Sequence, residues 1–212
     1  NWLRNYQFKF ANFLTILPKF FGLISVLIIG MLYFKFLPLV TIVLWFFIGL
    51  GITGVYFKKV QSLYTETDKI RETFKQYHLL LNEIENETFT AKNLVDKQKI
   101  IQSEDKNAAV IFKEFSKILD AFDQRNNVVI AVIGNGLFLW DINNSCRTEN
   151  WIKKYKHTVE KWFDVVAFFD AQNSLANFKY NHPKFVFPEI VDEKFSIKGI
   201  NIGHPLLNSA KR

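Results

Sequence analysis

Two uncharged apolar runs, residues 20–33 and 37–57, separated only by Phe34-Lys35-Phe36, restrict this chain more than any other feature. An α-helix rises about 1.5 Å per residue, so a hydrocarbon layer of roughly 30 Å takes about 20 residues. Residues 39–57 have that length alone, and residues 20–36 reach it when the Lys35 ammonium snorkels to the far interface. Pro18 and Pro38 stand where each helix would begin, a position that tolerates a missing N–H. The pattern predicts a helical hairpin through a bilayer. A hairpin half-exposed on a soluble protein would carry a polar stripe, and neither run has one. A signal peptide fits poorly, because the apolar region is double and starts late.

Charge orders the two sides of the hairpin. Arg4, Lys9 and Lys19 precede it and Lys58 and Lys59 follow it, whereas the connecting turn has only Lys35. The positive-inside rule then puts both flanks in the cytoplasm and the hairpin in the cytoplasmic membrane. Tyr33 and Tyr56 suit the headgroup region. The formal charge of +7 does not point to nucleic acid by itself. Residues 1–57 carry four basic groups and no acid, and residues 58–125 carry twelve of each sign. No basic stripe of the kind that neutralises phosphates is visible, and Lys153-Lys154-Tyr155-Lys156 reads as a solvated helix face.

Beyond the hairpin the period becomes that of amphipathic helix. Thr67, Ile70, Phe74, Tyr77, Leu81 and Ile84 keep one apolar seam on a helix running out of the membrane. Ile111, Phe115, Ile118 and Phe122 repeat the spacing, and Ile152, Tyr155, Val159, Trp162, Val166 and Phe169 sustain it again. Residues 86–107 are polar and read as a loop holding one short helix. Residues 128–142 raise the question of a third span, but the run is short and contains Gly134-Asn135-Gly136, so the expectation is a buried core helix. Around Ala176 the helical pattern fails, and Pro183 and Pro188 impose extended or turn backbone before them. Phe195, Ile197, Ile200 and Ile202 suit a short β segment. The expected fold is all-α: a transmembrane hairpin followed by an elongated helical bundle, with β structure only at the C-terminal end.

Chemistry-bearing motifs are sparse. Gly49-Leu-Gly-Ile-Thr-Gly54 matches the dinucleotide fingerprint by letter, yet it lies inside an apolar helix with no strand before it. Its small residues would let the two membrane helices approach closely. No P-loop occurs anywhere in the chain. His78, His157, His182 and His204 share no zinc spacing, and the single Cys146 reads as a small core residue. Asp164 and Asp170 are six apart and face different ways on a helix, which suits solvent rather than acid/base work.

Five segments carry a family likeness. They are Leu-Phe-Leu-Trp-Asp-Ile (137–142), Asn-Ser-Leu-Ala-Asn-Phe (173–178), Tyr-Asn-His-Pro (180–183), Phe-Val-Phe-Pro-Glu-Ile (185–190) and Gly-His-Pro-Leu-Leu (203–207). In that order the chain resembles the membrane-anchored branch of the MutS family, relatives of the DNA mismatch-repair ATPases. The resemblance implies three parts: a membrane hairpin with its N-terminal flank (1–57), a helical core and lever (58–190), and the start of a truncated ATPase domain (191–212). It implies a segment with no catalytic residues of its own, within a parent that binds ATP and Mg and works as a homodimer. Its partners would be membrane lipid, its own ATPase domain and DNA. His204 and Pro205 match the family's His-Pro pair near the adenine site, although Gly203 stands where mismatch-repair members usually have Arg. The function implied is a lever that couples nucleotide-driven dimer movement to the membrane or to DNA. The alternative from the residues alone is a non-enzymatic membrane-anchored scaffold that oligomerises through its amphipathic helices.

Overall fold

The computed structural model describes residues 3, 5–102, 106–190, 197–199 and 202–204, and every regular element among them is a helix. The β segment expected near residues 195–202 falls largely outside the described residues, and residues 197–199 and 202 within them have no regular structure. The chain divides into two compact units, Asn1–Gln172 and Asn173–Arg212.

The first unit opens with a 3-10 turn, Asn12–Thr15, that leads into α1, Leu17–Tyr33. Pro18 occupies the first turn of α1, where its missing N–H is harmless. At the other end the Phe36 N–H donates to Met31 O at 2.9 Å and the Lys35 N–H to Leu32 O at 3.0 Å, with Lys35 left-handed at φ 61°. This paired closure satisfies carbonyls that the helix end would otherwise strand. Lys35 thus also makes the turn between the apolar helices, and its side chain is exposed.

Helix α2 runs Val40–Asn86, 47 residues without a break, a length of about 70 Å. The apolar run and the amphipathic seam after it therefore belong to one rod. Nothing at the transition could interrupt it, since Lys58, Lys59, Val60, Gln61 and Ser62 include neither Gly nor Pro. The segment Asn12–Tyr33 and the apolar part of α2 are each long and apolar enough to cross a membrane. Most of that surface is bare: Phe20, Leu23 and Leu27 on α1, and Leu44, Phe47 and Val55 on α2, are all exposed.

Past Phe57 the surface changes character, because α2 now packs against α3 (Lys92–Ile101), α4 (Ala108–Asp123) and α6 (Trp140–Asn181). The three expected seams form this core. Thr67, Phe74 and Leu81 are buried from α2, Ile111, Phe115 and Phe122 from α4, and Ile152, Val159 and Trp162 from α6. Phe74 sits at the centre, its ring 4.9 Å from Phe112, 4.8 Å from Phe115 and 5.7 Å from Trp151. Such aromatic pairs each add about 0.5–1.5 kcal/mol beyond the area they bury. The indole N–H groups are satisfied in place, Trp151 donating to Ile111 O at 3.2 Å and Trp162 to Ile100 O at 3.4 Å. Glu85 of α2 accepts from the Ala109 N–H at 3.0 Å and so supplies from a neighbouring helix the N-terminal cap that α4 lacks.

Residues 128–142 depart from the expected buried core helix. A π-helical turn, Ile130–Gly134, passes into the short α5, Asn135–Phe138, and the chain then reverses at Leu139, left-handed at φ 49°, before α6 begins. Gly134, Asn135, Gly136 and Leu139 are buried, but Val128 is 74% exposed and Val129 62%. The left-handed Leu139 is what a single straight helix could not accommodate, while both glycines keep helical backbone.

The second unit holds the last turns of α6 and the chain after it, where the His182 ring stacks on Phe185 at 4.8 Å and lies 4.6 Å from Phe178.

One polar node locks α2 to the end of α4. Asp123 accepts from the Tyr64 hydroxyl at 2.7 Å and from Asn126 Nδ2 at 2.9 Å, and it pairs with Arg71. The Tyr64 hydrogen bond first, and Arg71 after it, hold the carboxyl below the usual carboxylate range against the opposing effect of burial. A depressed carboxylate contributes stability that is present above its unfolded value of about 3.9 and is lost as pH falls through the lower folded value. Asp123→Asn should therefore lower stability at neutral pH and flatten the acid limb. Urea unfolding at several pH values between neutrality and strong acid checks this; an unchanged acid limb would remove Asp123 from the account.

Candidate functional site

The polar and close-packed features of the first unit gather where the apolar helices meet the bundle. Two devices are built there and a third midway along the apolar helices, each from residues on different elements.

The first ties the N-terminal segment to two helices. Glu149, 5% exposed on α6, accepts from the Tyr6 hydroxyl at 2.6 Å and from the backbone N–H groups of Lys9 at 2.6 Å and Phe10 at 3.1 Å. Burial, then the bond to Glu149, raises the Tyr6 phenol above its ordinary value, so it stays a donor. The Lys9 ammonium reaches across to α2, 2.9 Å from Ser62 Oγ and 2.5 Å from Glu66. Leu3 and Tyr6 are themselves buried in the main core. Residues read from sequence as a charged membrane flank are thus a strap across α2 and α6. A cleft of about 180 Å³ opens beside it, lined by Phe8, Phe10, Thr15 and Cys146 among others. Its one carboxylate, Glu149, already takes three donors and is not placed as a free base.

The second device is a buried ion pair. Arg125, just past α4, lies 3.2 Å from Asp141 in the first turn of α6, with both side chains almost fully enclosed. The guanidinium also donates to Gln61 Oε1 at 2.9 Å and lies 5.1 Å from the centre of the Tyr64 ring. The Asp141 N–H donates to Asn135 Oδ1 at 2.8 Å, which supplies one of the partners that the start of α6 needs. A charge pair so enclosed is costly to break from one side, because the survivor has no water to turn to.

The third device is a close approach of backbones. A Cβ on Gly49 would fall inside van der Waals contact of the Gly136 carbonyl, and one on Gly136 would strike the Phe46 ring. A Cβ on Gly51 or Gly54 meets nothing within 4 Å. Of the three glycines in the false dinucleotide motif, then, Gly49 has a packing duty, and it is toward α5 rather than toward the other membrane helix. Beside this contact Ser25, fully buried on α1, donates to Leu137 O at 2.5 Å and accepts from Trp45 Nε1 at 2.8 Å. Phe21 stacks on Trp45 at 4.2 Å.

The residues singled out from sequence lie elsewhere. His204 is exposed, in a stretch without regular structure, and Pro205 lies outside the described residues. His78 Nδ1 is 3.0 Å from Ala109 O in the bundle, and His157, Asp164 and Asp170 are exposed. Cys146 is buried, and burial pushes its thiol up to about 12, away from the thiolate a nucleophile needs. Among the described residues no three His, Cys, Asp or Glu side chains cluster as metal ligands. Arg125, Glu149 and Ser25 were not visible as site residues in the sequence, since their partners are 16, 143 and 112 positions away. The arrangement holds helices in register.

Comparison of the chain with protein-family models, with curated proteins and with solved structures finds no match in any of the three.

Two substitution tests follow from the geometry. Gly49→Leu should cost about 3 kcal/mol by forcing α5 off α2, whereas Gly51→Leu, pointing into open space, should be neutral or slightly stabilising. Equal melting midpoints in detergent would refute the contact. Arg125→Met should cost about 3–5 kcal/mol, and the double change Arg125→Met with Asp141→Leu should recover most of it. A double variant as unstable as the single would show that the loss does not come from stranding Asp141.

Proposed function

We propose that this chain is the membrane anchor and helical lever of a MutS-like ATPase. The observation that carries the lever is the continuity of α2: one helix has a bare apolar half long enough to cross a bilayer and a second half locked into a bundle by Phe74, Tyr64 and Arg71. A helix without a hinge passes tilt or rotation from one half to the other. The MutS assignment rests on the five segments between residues 137 and 207, and on it rest ATP and Mg in the parent protein, a homodimer, and a nucleotide domain that drives the lever. On this reading both flanks of the hairpin are cytoplasmic and the load is the membrane or a membrane-bound partner; DNA is the second candidate. The scaffold alternative drew on an unpaired seam at residues 67–84, and that seam is occupied by α4 and α6 of the same chain.

The topology is tested by single cysteines in intact cells. A cysteine at Phe34, exposed in the hairpin turn, should react with a membrane-impermeant maleimide from outside, and one at Lys69, exposed on α2, only after lysis. The reverse pattern overturns the orientation. The full-length parent protein, purified from the membranes that make it, should hydrolyse ATP in the presence of Mg. Absence of hydrolysis with and without DNA, together with nucleotide-independent crosslinking between copies through residues 60–85, would replace the ATPase lever by the scaffold.

A further inference from the structure

We propose that residues 128–139 form a re-entrant element, entering the membrane from the bundle side and leaving by the same side, with its outer face against lipid acyl chains. The proposal rests on the membrane reading of α1 and α2, and the geometry then leaves the segment no other place. Its backbone at Asn135 and Gly136 meets α2 at Gly49, near the middle of the apolar residues 39–57, and Leu137 O meets Ser25 halfway along α1. Wherever these helices cross, the tip goes with them. Gly136 lies against Phe46, eleven residues before Phe57, or about 16 Å along α2. Measured on α1, Ser25 is six residues beyond Lys19, or about 9 Å. Both distances end inside the slab and short of its far side.

The chemistry of the segment agrees. Between Arg125 and Asp141 no side chain is charged, and from residue 128 to 139 every exposed side chain is apolar, namely Val128, Val129, Val132, Ile133 and Phe138. An amphipathic helix on a water-facing surface would show polar side chains there. The polar and irregular parts face inward instead. Non-helical backbone at membrane depth is tolerated where it is buried in protein and its hydrogen bonds are met. The reversal at Leu139 is fully enclosed, Ser25 supplies a donor to the Leu137 carbonyl, and Asn135 supplies an acceptor to the Asp141 N–H. The bare face continues the exposed apolar surface of α1 and α2, so lipid is the occupant that the surroundings dictate.

The test places bimane on single cysteines at Val132 and Ile133, in full-length protein with Cys146→Ala, reconstituted in vesicles of equimolar phosphatidylcholine and phosphatidylglycerol. Val43→Cys on α2 and Lys117→Cys on α4 serve as membrane and water references, both sites being exposed. Spin labels at mid-chain in the lipid should quench positions 132 and 133 to within about twofold of position 43, as a site inside the hydrocarbon layer requires, while aqueous iodide quenches only position 117. Quenching of 132 and 133 by iodide, or by neither agent, overturns the re-entrant element with the membrane anchor intact. Iodide quenching at position 43 as well would overturn both.

Discussion

A peptide group in hydrocarbon has no water to bond, so each N–H and C=O must find its partner within the protein. Helix α2 meets this demand by keeping its ladder unbroken, and it keeps it far beyond the apolar residues, from Val40 to Asn86. The same rod therefore has a bare apolar half and an enclosed half. Side chains at Leu44 and Phe47 stand bare while Leu63, Phe74 and Leu81 are enclosed, and one helical phase relates them.

Enclosure within the protein makes the same demand of the polar groups clustered around α5. A chain that turns back inside an apolar region strands the carbonyls at the end of one helix and the N–H groups at the start of the next. Here Ser25 and Asn135 answer one of each, and Gly49 and Gly136 let the two backbones come near enough for the rest to be enclosed. The left-handed turn falls on Leu139 rather than on glycine, at a cost of about 1–2 kcal/mol. What holds it is the Leu139 side chain, buried in a small cluster with Leu14, Phe21, Ile142 and Cys146. Tertiary packing overrides local preference at this one position, and the override fixes where α6 begins.

How much of this could be read from sequence depends on the range of the interaction. The seams at residues 67–84, 111–122 and 152–169 were legible because a helix reports its buried face through a period of three and four, and the apolar runs were legible because length and absence of charge need no partner. The strap was not. Arg4 and Lys9 looked like membrane-flanking charges, and only the distant Glu149 and Glu66 turn Lys9 and its neighbours into a brace. Residues 128–142 were misread for a related reason: a run without charge does not say which of its side chains are enclosed, and Val128, Val129, Val132, Ile133 and Phe138 stand exposed. Gly49 had the right role and the wrong partner, since small residues announce a close approach without saying to what. His204 and Pro205 carry a likeness rather than a geometry: His204 is exposed in a stretch without regular structure, and Pro205 lies outside the described residues.

The placement of charge bears on why the junction is built so tightly. Lys9 with Glu66 and Arg71 with Asp123 join α2, past its bare apolar stretch, to the N-terminal segment and to the end of α4, and Arg125, which donates to Gln61 of α2, pairs with Asp141 of α6. Stability alone does not require the buried Arg125–Asp141 pair, because well-packed hydrophobic replacements of buried ion pairs are often neutral or better. An apolar seam, however, permits helices to slide or to rotate by a ridge, whereas a carboxylate holding two or three donors permits one register. Glu149 and Asp123 each hold three. If the rod transmits movement, slip at its base would dissipate it, so directional bonds belong where the bare part of α2 meets its bracing, and that is where they occur.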